Sequence, residues 1–109
     1  MKLVDIGINI NSQFKDDLED VLHNAKKHFV EDIILTTVDE HSFINNIKHC
    51  EIDFPVKLFT TWGLHPHNAK NLDSFLIATK EIMDSKPYCV KAIGEFGLDF
   101  FRMISSEKI

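Results

Sequence analysis

The chain has 109 residues, of which 44% are hydrophobic and 27% charged, a composition typical of one small globular domain and not of a disordered segment. Its formal net charge of −5 argues against a protein that coats nucleic acid with a basic face. That charge leaves open an enzyme that meets phosphate through bound metal ions, because the cation then supplies the positive charge.

The compartment can be predicted from the cysteines and from the length of the apolar runs. Cys50 and Cys89 form no CxxC pair and are expected to be buried, reduced thiols. No stretch approaches the roughly 20 apolar residues of a membrane span, and the opening MKLVDIGINI lacks the pattern of a signal peptide. We therefore expect a cytoplasmic protein without a membrane partner.

Four short segments, rich in β-branched and aromatic residues, are predicted to be strands. They span residues 3–8, 32–38, 56–62 and 88–93. Apolar runs that are nearly continuous suit strands that are buried on both faces, as parallel sheets require.

Segments with helical periodicity lie between these strands. The first helix is predicted after Ser12, a good N-cap, with an apolar stripe of Phe14, Leu18, Val21, Ala25 and Phe29. A second is predicted after Asp39, with Phe43, Ile47 and Cys50 on one face. A third follows Asp73 or Ser74, carries Phe75, Thr79, Ile82 and Met83, and ends before Pro87. A further helix is expected to begin near Ser105.

The order β-α-β-α-β-α-β, with short connections, predicts right-handed crossovers and a parallel sheet. An α/β fold of this kind is either an open doubly wound sheet or part of a (β/α)₈ barrel with about four βα units. Periodicity alone does not choose between the two.

Polar residues cluster at the predicted carboxyl ends of the strands, where parallel α/β folds place their chemistry. Asp5, Gly7, Asn9 and Asn11 belong to the end of the first strand. Residues 62–67 follow the third strand, and Glu95 and Asp99 follow the fourth. The second strand is followed by the less informative Thr36, Thr37 and Asp39.

Glu95 carries the strongest single signal for a site. It follows an apolar strand and stands between Gly94 and Gly97 in the segment GEFG, where glycine permits close approach of the backbone. A carboxylate at that edge can bridge two hard cations. The alternative is a surface glutamate in a glycine-rich turn.

His65 and His67 form a weaker signal. One residue separates them, so on a strand they would share a face and could bind one metal ion, but Pro66 makes a loop the expected conformation. The alternative is two ordinary loop histidines. The sequence contains neither GxGxxG nor GxxxxGK[ST], which counts against nucleotide-binding folds.

Three segments together resemble the TatD-like deoxyribonucleases. They are VDIGINI at 4–10 followed by Ser12-Gln13-Phe14, WGLHPH at 62–67, and AIGEFGLDF at 92–100. The resemblance implies a TIM barrel of the metal-dependent hydrolase type that removes nucleotides from the 3′ end of single-stranded DNA. It also implies a divalent cation, Mg²⁺ in the first place, with Zn²⁺ or Mn²⁺ as alternatives.

The same resemblance implies residue roles. Glu95 would be the catalytic metal-bridging carboxylate, and His65 would be catalytic and contact the substrate phosphate. His67, Asp99 and Asn9 would bind substrate, and Asn9 would also offer its carbonyl oxygen to the metal. Asp99 would in addition shape the loop beside Glu95.

Two departures from the family pattern bear on activity. Many relatives open with H-x-H, where this chain has Gly7 and Asn9. The later family ligands, two histidines and an aspartate, would come from strands beyond residue 109. We therefore expect residues 1–109 to be the N-terminal half of a (β/α)₈ hydrolase domain that is truncated at its C-terminus.

Three other readings remain open. One is a related metal-dependent hydrolase that acts on a small phosphoester or amide. Another is a non-catalytic half-barrel, or a decayed fragment, that acts through self-association at exposed sheet edges. An open α/β binding module has the least support, because it lacks a phosphate loop.

Overall fold

Four parallel strands form a single sheet whose order in space is the order of the chain. The structure is a computed structural model and describes residues 1–10 and 15–102. The strands are β1 (Leu3–Ile8), β2 (Val30–Leu35), β3 (Lys57–Trp62) and β4 (Val90–Ile93). The helices are α1 (Leu18–Lys27), α2 (Glu40–Cys50) and α3 (Leu72–Asp84). Short 3₁₀ helices at Lys15–Asp17 and Pro66–Asn71 precede α1 and α3.

The order β1-β2-β3-β4 settles the alternative that periodicity left open. An open doubly wound sheet reverses direction at a switch point, so its strand order is not sequential. Here every pair of neighbours along the chain is also a parallel pair in the sheet. The chain therefore has the arrangement of a partial (β/α) barrel, as expected.

The elements at the beginning of the chain differ from the sequence prediction in their bounds. α1 ends at Lys27 and Phe29 has a φ of 70°, so Val30 already begins β2, two residues before its predicted start. Phe29 is consequently exposed and does not belong to the apolar stripe, whereas Leu22 is fully buried. The predicted apolar stripe requires a continuous helical register through Phe29, and the left-handed residue breaks that register.

Several predicted features lie outside the described residues. These are Asn11, the N-cap at Ser12, the apolar contact of Phe14, and the helix start near Ser105.

The second helix begins as predicted after Asp39. The Asp39 carboxylate accepts a hydrogen bond from the backbone N–H of Ser42 at 2.7 Å, and the Ser42 hydroxyl lies 3.0 Å from the backbone N of Asp39. This reciprocal capping box satisfies two backbone donors that the helix itself leaves unpaired. α3 starts at Leu72, slightly earlier than predicted, because the 3₁₀ helix leads directly into it.

The hydrophobic core lies between the sheet and α1 and α2. Leu22, Leu35 and Val56 are 0–1% exposed, and the buried free thiols of Cys50 and Cys89 belong to the same cluster. Burial raises the pKa of Cys50 above its ordinary value, and the neighbouring thiol of Cys89 adds to that rise. The cysteines therefore act as small apolar groups, as predicted.

A buried polar network joins β2, β3 and α2 near the carboxyl ends of the strands. The Thr60 hydroxyl donates to the carbonyl oxygen of Leu35 at 3.0 Å and lies 3.1 Å from the Thr37 hydroxyl. The Asn46 side-chain amide donates to Thr60 Oγ1 at 3.1 Å. Because Thr37 and Thr60 have no exposed surface, these bonds are needed to offset the cost of burying polar groups. They hold the strand ends that carry the candidate site.

Trp62, the last residue of β3, connects that strand to α3. Its indole Nε1–H donates to the hydroxyl of Thr79 at 3.1 Å, and its ring stacks on Phe75 with centroids 5.5 Å apart.

None of the helices among residues 1–10 and 15–102 is long and apolar enough to cross a membrane.

Candidate functional site

Two glycines allow the carboxyl ends of β3 and β4 to approach each other closely. A Cβ atom on Gly94 would lie 2.4 Å from Thr61 Oγ1, and a Cβ atom on Gly63 would lie 2.7 Å from the carbonyl oxygen of Glu95. Gly94 also donates its N–H to the carbonyl oxygen of Trp62 at 2.8 Å. Side chains at either position would therefore separate the two strand ends, and the residues that follow them would no longer meet.

This approach brings His65 against Glu95, across 30 positions of sequence. His65 Nε2 lies 3.2 Å from Glu95 Oε1, with the two side chains 29% and 46% exposed. Both side chains can therefore be reached from solvent. The sequence placed these two residues at one end of the sheet, and the structure brings them into contact.

The position of the proton on His65 follows from its hydrogen bonds. The backbone N–H of His67 lies 3.0 Å from His65 Nδ1, and an N–H can only donate, so Nδ1 is the acceptor. The proton of the neutral ring is therefore on Nε2 and points toward the Glu95 carboxylate. This local cap begins the 3₁₀ helix Pro66–Asn71. The backbone N–H of His65 in turn donates to the carbonyl oxygen of Val38 at 2.9 Å.

His67 belongs to a second pair next to the first. Its Nε2 lies 2.9 Å from Asp99 Oδ2, and its ring centroid is 4.5 Å from that of His65 in an edge-on arrangement. The Asp99 side chain is only 12% exposed. Asp99 thereby ties the segment after β4 to the segment after β3, which supports the expectation that it shapes the loop beside Glu95.

Asp99 accepts further hydrogen bonds from the chain that follows it. The backbone N–H groups of Phe101 and Arg102 donate to Oδ1 at 3.1 and 2.9 Å, and Arg102 Nη1 donates to Oδ2 at 3.1 Å. The Arg102 backbone N–H is the main cause that lowers the pKa of Asp99 from 3.8 to about 2, and the Arg102 and His67 side chains add to it. Asp99 is therefore ionised, and its acceptor role makes His67 Nε2 the donor.

From the sequence, Arg102 was not predicted to contact Asp99. Its spacing of three residues from Asp99 was the available signal, since such spacing brings side chains together in a turn. Phe96 was not predicted to belong to the site either, although it directly follows Glu95.

Asn9 is not brought into contact with the histidine–carboxylate pairs among the described residues. It is exposed and follows β1, which lies at the opposite edge of the sheet from β4. Three strand spacings of roughly 4.8 Å separate the two edges along the sheet, a path of about 14 Å. Only curvature of the sheet can bring Asn9 nearer to Glu95.

The donor set of the described residues fits part of a cation site. Glu95 offers an exposed carboxylate whose second oxygen accepts no hydrogen bond from the described part of the chain, and hard divalent cations prefer such oxygens. Within residues 1–10 and 15–102, however, no three histidine, cysteine or acidic side chains converge in a way that could hold a metal ion. These residues provide one carboxylate that could act as a ligand beside an imidazole, and not a closed coordination shell.

Comparisons with known proteins show what the chain is similar to. The sequence model described as "TatD related DNase" matches residues 4–108. The chain is 34% identical over 105 residues to a protein of Pectobacterium carotovorum named 3′-5′ ssDNA/RNA exonuclease TatD, covering 95% of this chain and 40% of that protein. It is 31% identical over 109 residues to the protein of the same name from Pantoea vagans, which it also covers by 40%.

Solved structures agree with the fold. A hydrolase TatD family protein from Entamoeba histolytica superposes with a TM-score of 0.77 at 27% identity, over 98% of this chain and 41% of that one. An amidohydrolase from Saccharomyces cerevisiae superposes with a TM-score of 0.73 at 23% identity and covers 98% of this chain, a likeness that concerns the fold alone. The chain spans about 40% of the length of the curated relatives that it matches.

Proposed function

The chain belongs to the TatD related DNase family, and from that premise we propose that it takes part in metal-dependent hydrolysis of phosphodiester bonds in single-stranded nucleic acid. The proposed reaction is the removal of nucleotides from the 3′ end, with DNA as the substrate. The names of the curated relatives, which describe 3′-5′ exonucleases of single-stranded DNA and RNA, support this proposal.

The observation that carries the proposal is the contact between His65 and Glu95. It combines an exposed carboxylate, suited to a divalent cation, with an imidazole N–H that can donate to a phosphate oxygen beside it. A bound cation would supply Lewis-acid polarisation of the phosphate and a more acidic water molecule. Glu95 would hold that cation, and His65 would orient the phosphate through Nε2–H.

His67 and Asp99 are assigned a supporting role in the same site. Their hydrogen bond connects the two loops that carry His65 and Glu95, so it limits how far the imidazole and the carboxylate can drift apart. Contact with substrate remains the prediction for both residues and for Asn9.

We also propose that residues 1–109 correspond to the N-terminal half of a (β/α)₈ hydrolase domain. The share of the relatives that the chain covers supports this assignment. On this proposal, further ligands come from strands of the other half, and the chain by itself hydrolyses nucleic acid weakly or not at all. Mg²⁺ is the proposed cation, with Mn²⁺ or Zn²⁺ as alternatives, and the cytoplasm is the proposed location.

The test compares Glu95→Gln with the unchanged chain. We expect Mn²⁺, a paramagnetic substitute for Mg²⁺, to bind the unchanged chain in an electron paramagnetic resonance titration, and the variant to bind it at least roughly tenfold more weakly. Any shortening of a 5′-labelled single-stranded oligonucleotide from its 3′ end by the unchanged chain with Mg²⁺ should be at least about tenfold slower with the variant.

Glu81→Gln provides the matched control, because Glu81 is exposed on α3, away from the strand ends. It should leave both cation binding and cleavage unchanged. Equal Mn²⁺ affinity for Glu95→Gln and the unchanged chain would overturn the assignment of Glu95 as a ligand, even where the chain cleaves nothing.

A second candidate function is a non-catalytic half-barrel that acts through self-association. The observation in its favour is that β1 and β4 are both sheet edges with exposed apolar residues, among them Val4 at 54%, Ile6 at 76% and Ile93 at 70%. Unpaired edges with apolar side chains favour association. The mass of the chain in solution tests this candidate.

A further inference from the structure

A small apolar cleft lies directly beside the His65–Glu95 pair. Its volume is about 220 Å³, and its walls are Leu64, Ala69, Leu72, Phe96, Gly97 and Leu98. Leu64 immediately precedes His65 and Phe96 immediately follows Glu95, so both halves of the candidate site lead into the cleft. None of the lining residues carries a charge.

One side of the cleft is buried and the other side is exposed to solvent. Leu64 and Ala69 are each 6% exposed and form the buried side, whereas Phe96 is 70% exposed. The backbone at Gly97 has a φ of 153°, which L side chains rarely adopt, and a Cβ there would lie 3.6 Å from Pro66 Cγ. This glycine lets the chain after Glu95 turn beside Pro66, which leaves the ring of Phe96 at the mouth of the cleft.

We propose that this cleft binds the nucleobase of the nucleotide whose phosphate lies at His65 and Glu95, with Phe96 as the stacking platform. The inference rests on the proposed function and names the part of the substrate that the phosphate site does not contact. Bases of a single strand are unpaired, so their faces are free to stack on an aromatic side chain.

Size and polarity favour a base over other occupants. The cleft is smaller than the ~300–1,000 Å³ of sites for drug-sized ligands, which suits one ring system. Its apolar walls suit the faces of a base and not a phosphate or a sugar hydroxyl. Continuity with His65 and Glu95 places that ring within one nucleotide of the phosphate site.

The charge of the chain gives the cleft a physical role. With a net charge of −5 the protein gains little affinity from releasing the counterions of a phosphate backbone. Stacking on an aromatic ring does not depend on charge and tolerates any base. Base stacking at Phe96 would therefore hold the end of a strand that the protein surface otherwise repels.

The experiment uses the 109-residue chain and two single-stranded oligothymidylate probes in Ca²⁺ buffer, where hydrolysis is suppressed. One probe ends in 3′-terminal 2-aminopurine, whose fluorescence is quenched by stacking, and the other ends in an abasic residue. We expect the chain to quench the first probe and to bind it about tenfold more tightly than the abasic probe. Phe96→Ala should remove both the quenching and the preference, and Phe96→Trp should keep them.

Phe101→Ala is the matched control, since Phe101 is 93% exposed and does not line the cleft. It should behave as the unchanged chain. Equal binding of the two probes, or quenching that survives in Phe96→Ala, overturns the inference and leaves the proposed function in place. If neither probe binds and Glu95→Gln does not alter Mn²⁺ affinity, the proposed function itself fails.

A further readout separates a base site from a packing site. If Phe96 instead covers the core, Phe96→Ala lowers the urea midpoint of unfolding, and added nucleoside leaves the methyl resonances of Leu64, Leu72 and Leu98 unmoved. If the cleft binds a base, deoxyadenosine shifts those methyl resonances through its ring current, and the midpoint of the variant stays close to that of Phe101→Ala. The first outcome overturns the inference and the second supports it.

Discussion

At the scale of single residues, the two histidine–carboxylate pairs differ in what surrounds them. Glu95 keeps an exposed carboxylate beside one imidazole, whereas Asp99 accepts four hydrogen bonds from His67, Phe101 and Arg102. An acceptor that is saturated in this way has little capacity left for a cation. On the proposed function, Asp99 would therefore position the loops, and Glu95 would be the carboxylate available to a cation.

The role of Asp99 predicts a pH dependence of stability. Its pKa is about 2 in the folded protein against an ordinary 3.8, so its contribution is fully present above about pH 4 and is lost as the pH falls toward 2. Asp99→Asn should be less stable than the unchanged chain at pH 6, and the difference should narrow between pH 4 and pH 2. Urea unfolding at a series of pH values measures this difference.

The control for that series is Asp53→Asn, at an exposed position away from the candidate site. The difference in stability between Asp53→Asn and the unchanged chain should not narrow between pH 4 and pH 2. A difference between Asp99→Asn and the unchanged chain that stays constant from pH 6 to pH 2 would show that the Asp99 carboxylate is not held by these bonds in solution.

At the scale of elements, the ends of β3 and β4 depend on the absence of two side chains. Gly94 packs on Thr61 and Gly63 packs on the backbone of Gly94 and Glu95. Glycine is required at both positions because the two strand ends approach closely there. Backbone conformation is not the reason, since neither glycine has a positive φ. The distance between His65 and Glu95 is thus a property of how two strand ends pack together.

Gly94→Ala tests this dependence. The added Cβ would lie 2.4 Å from Thr61 Oγ1 and 2.6 Å from Thr61 Cβ, so the strands must shift. Overpacking of this kind costs about 1–3 kcal/mol, and we expect a loss of that size in the free energy of unfolding by urea. The same variant should bind Mn²⁺ more weakly, because the shift moves Glu95.

Gly7→Ala is the matched substitution, because the nearest atom to its Cβ would be Thr36 Oγ1 at 3.7 Å, an ordinary contact. Its stability should stay within about 0.5 kcal/mol of the unchanged chain. Equal effects of the two alanines would mean that glycine flexibility, and not close packing, matters at Gly94.

At the scale of the whole molecule, the sheet formed by residues 1–10 and 15–102 has helices on one face, and β1 and β4 are its edge strands. The core cluster lies on the side of α1 and α2, while β1 and β4 keep exposed apolar residues. Four parallel strands with free edges can extend a sheet by pairing β4 of one copy with β1 of another. The half-barrel candidate requires this association for its function, whereas the nuclease candidate does not.

We predict that the 109-residue chain self-associates at micromolar concentration. Light scattering after size exclusion should give a mass above the 12.6 kDa of one chain, rising with concentration. Ile6→Lys and Ile93→Lys place a charge on the two edge strands and should lower that mass. Ile77→Lys, at a residue 78% exposed on α3, is the control and should not lower it.

A single species of 12.6 kDa that unfolds cooperatively would contradict this prediction. Loss of association in Ile77→Lys as well as in the edge variants would indicate general charge repulsion and not pairing of edges.

The sequence by itself determined the features that depend on neighbours along the chain. The alternation of strand and helix, the cap at Asp39 and the burial of Cys50 and Cys89 follow from local pattern, and the structure agrees with each. The motif around Glu95 likewise sufficed to indicate the family to which the chain belongs. The predicted register of α1 was wrong at its end, because no sequence pattern indicated the left-handed conformation of Phe29.

Only the tertiary structure decided which distant residues meet. The contact of His65 with Glu95, the contact of His67 with Asp99, and the network of Thr37, Thr60 and Asn46 all join separate segments of the chain. Such contacts depend on strand order, register and the close approach at Gly94, which are set by packing between elements and leave no periodic trace in the sequence. The sequential strand order that marks a partial barrel was decided in the same way.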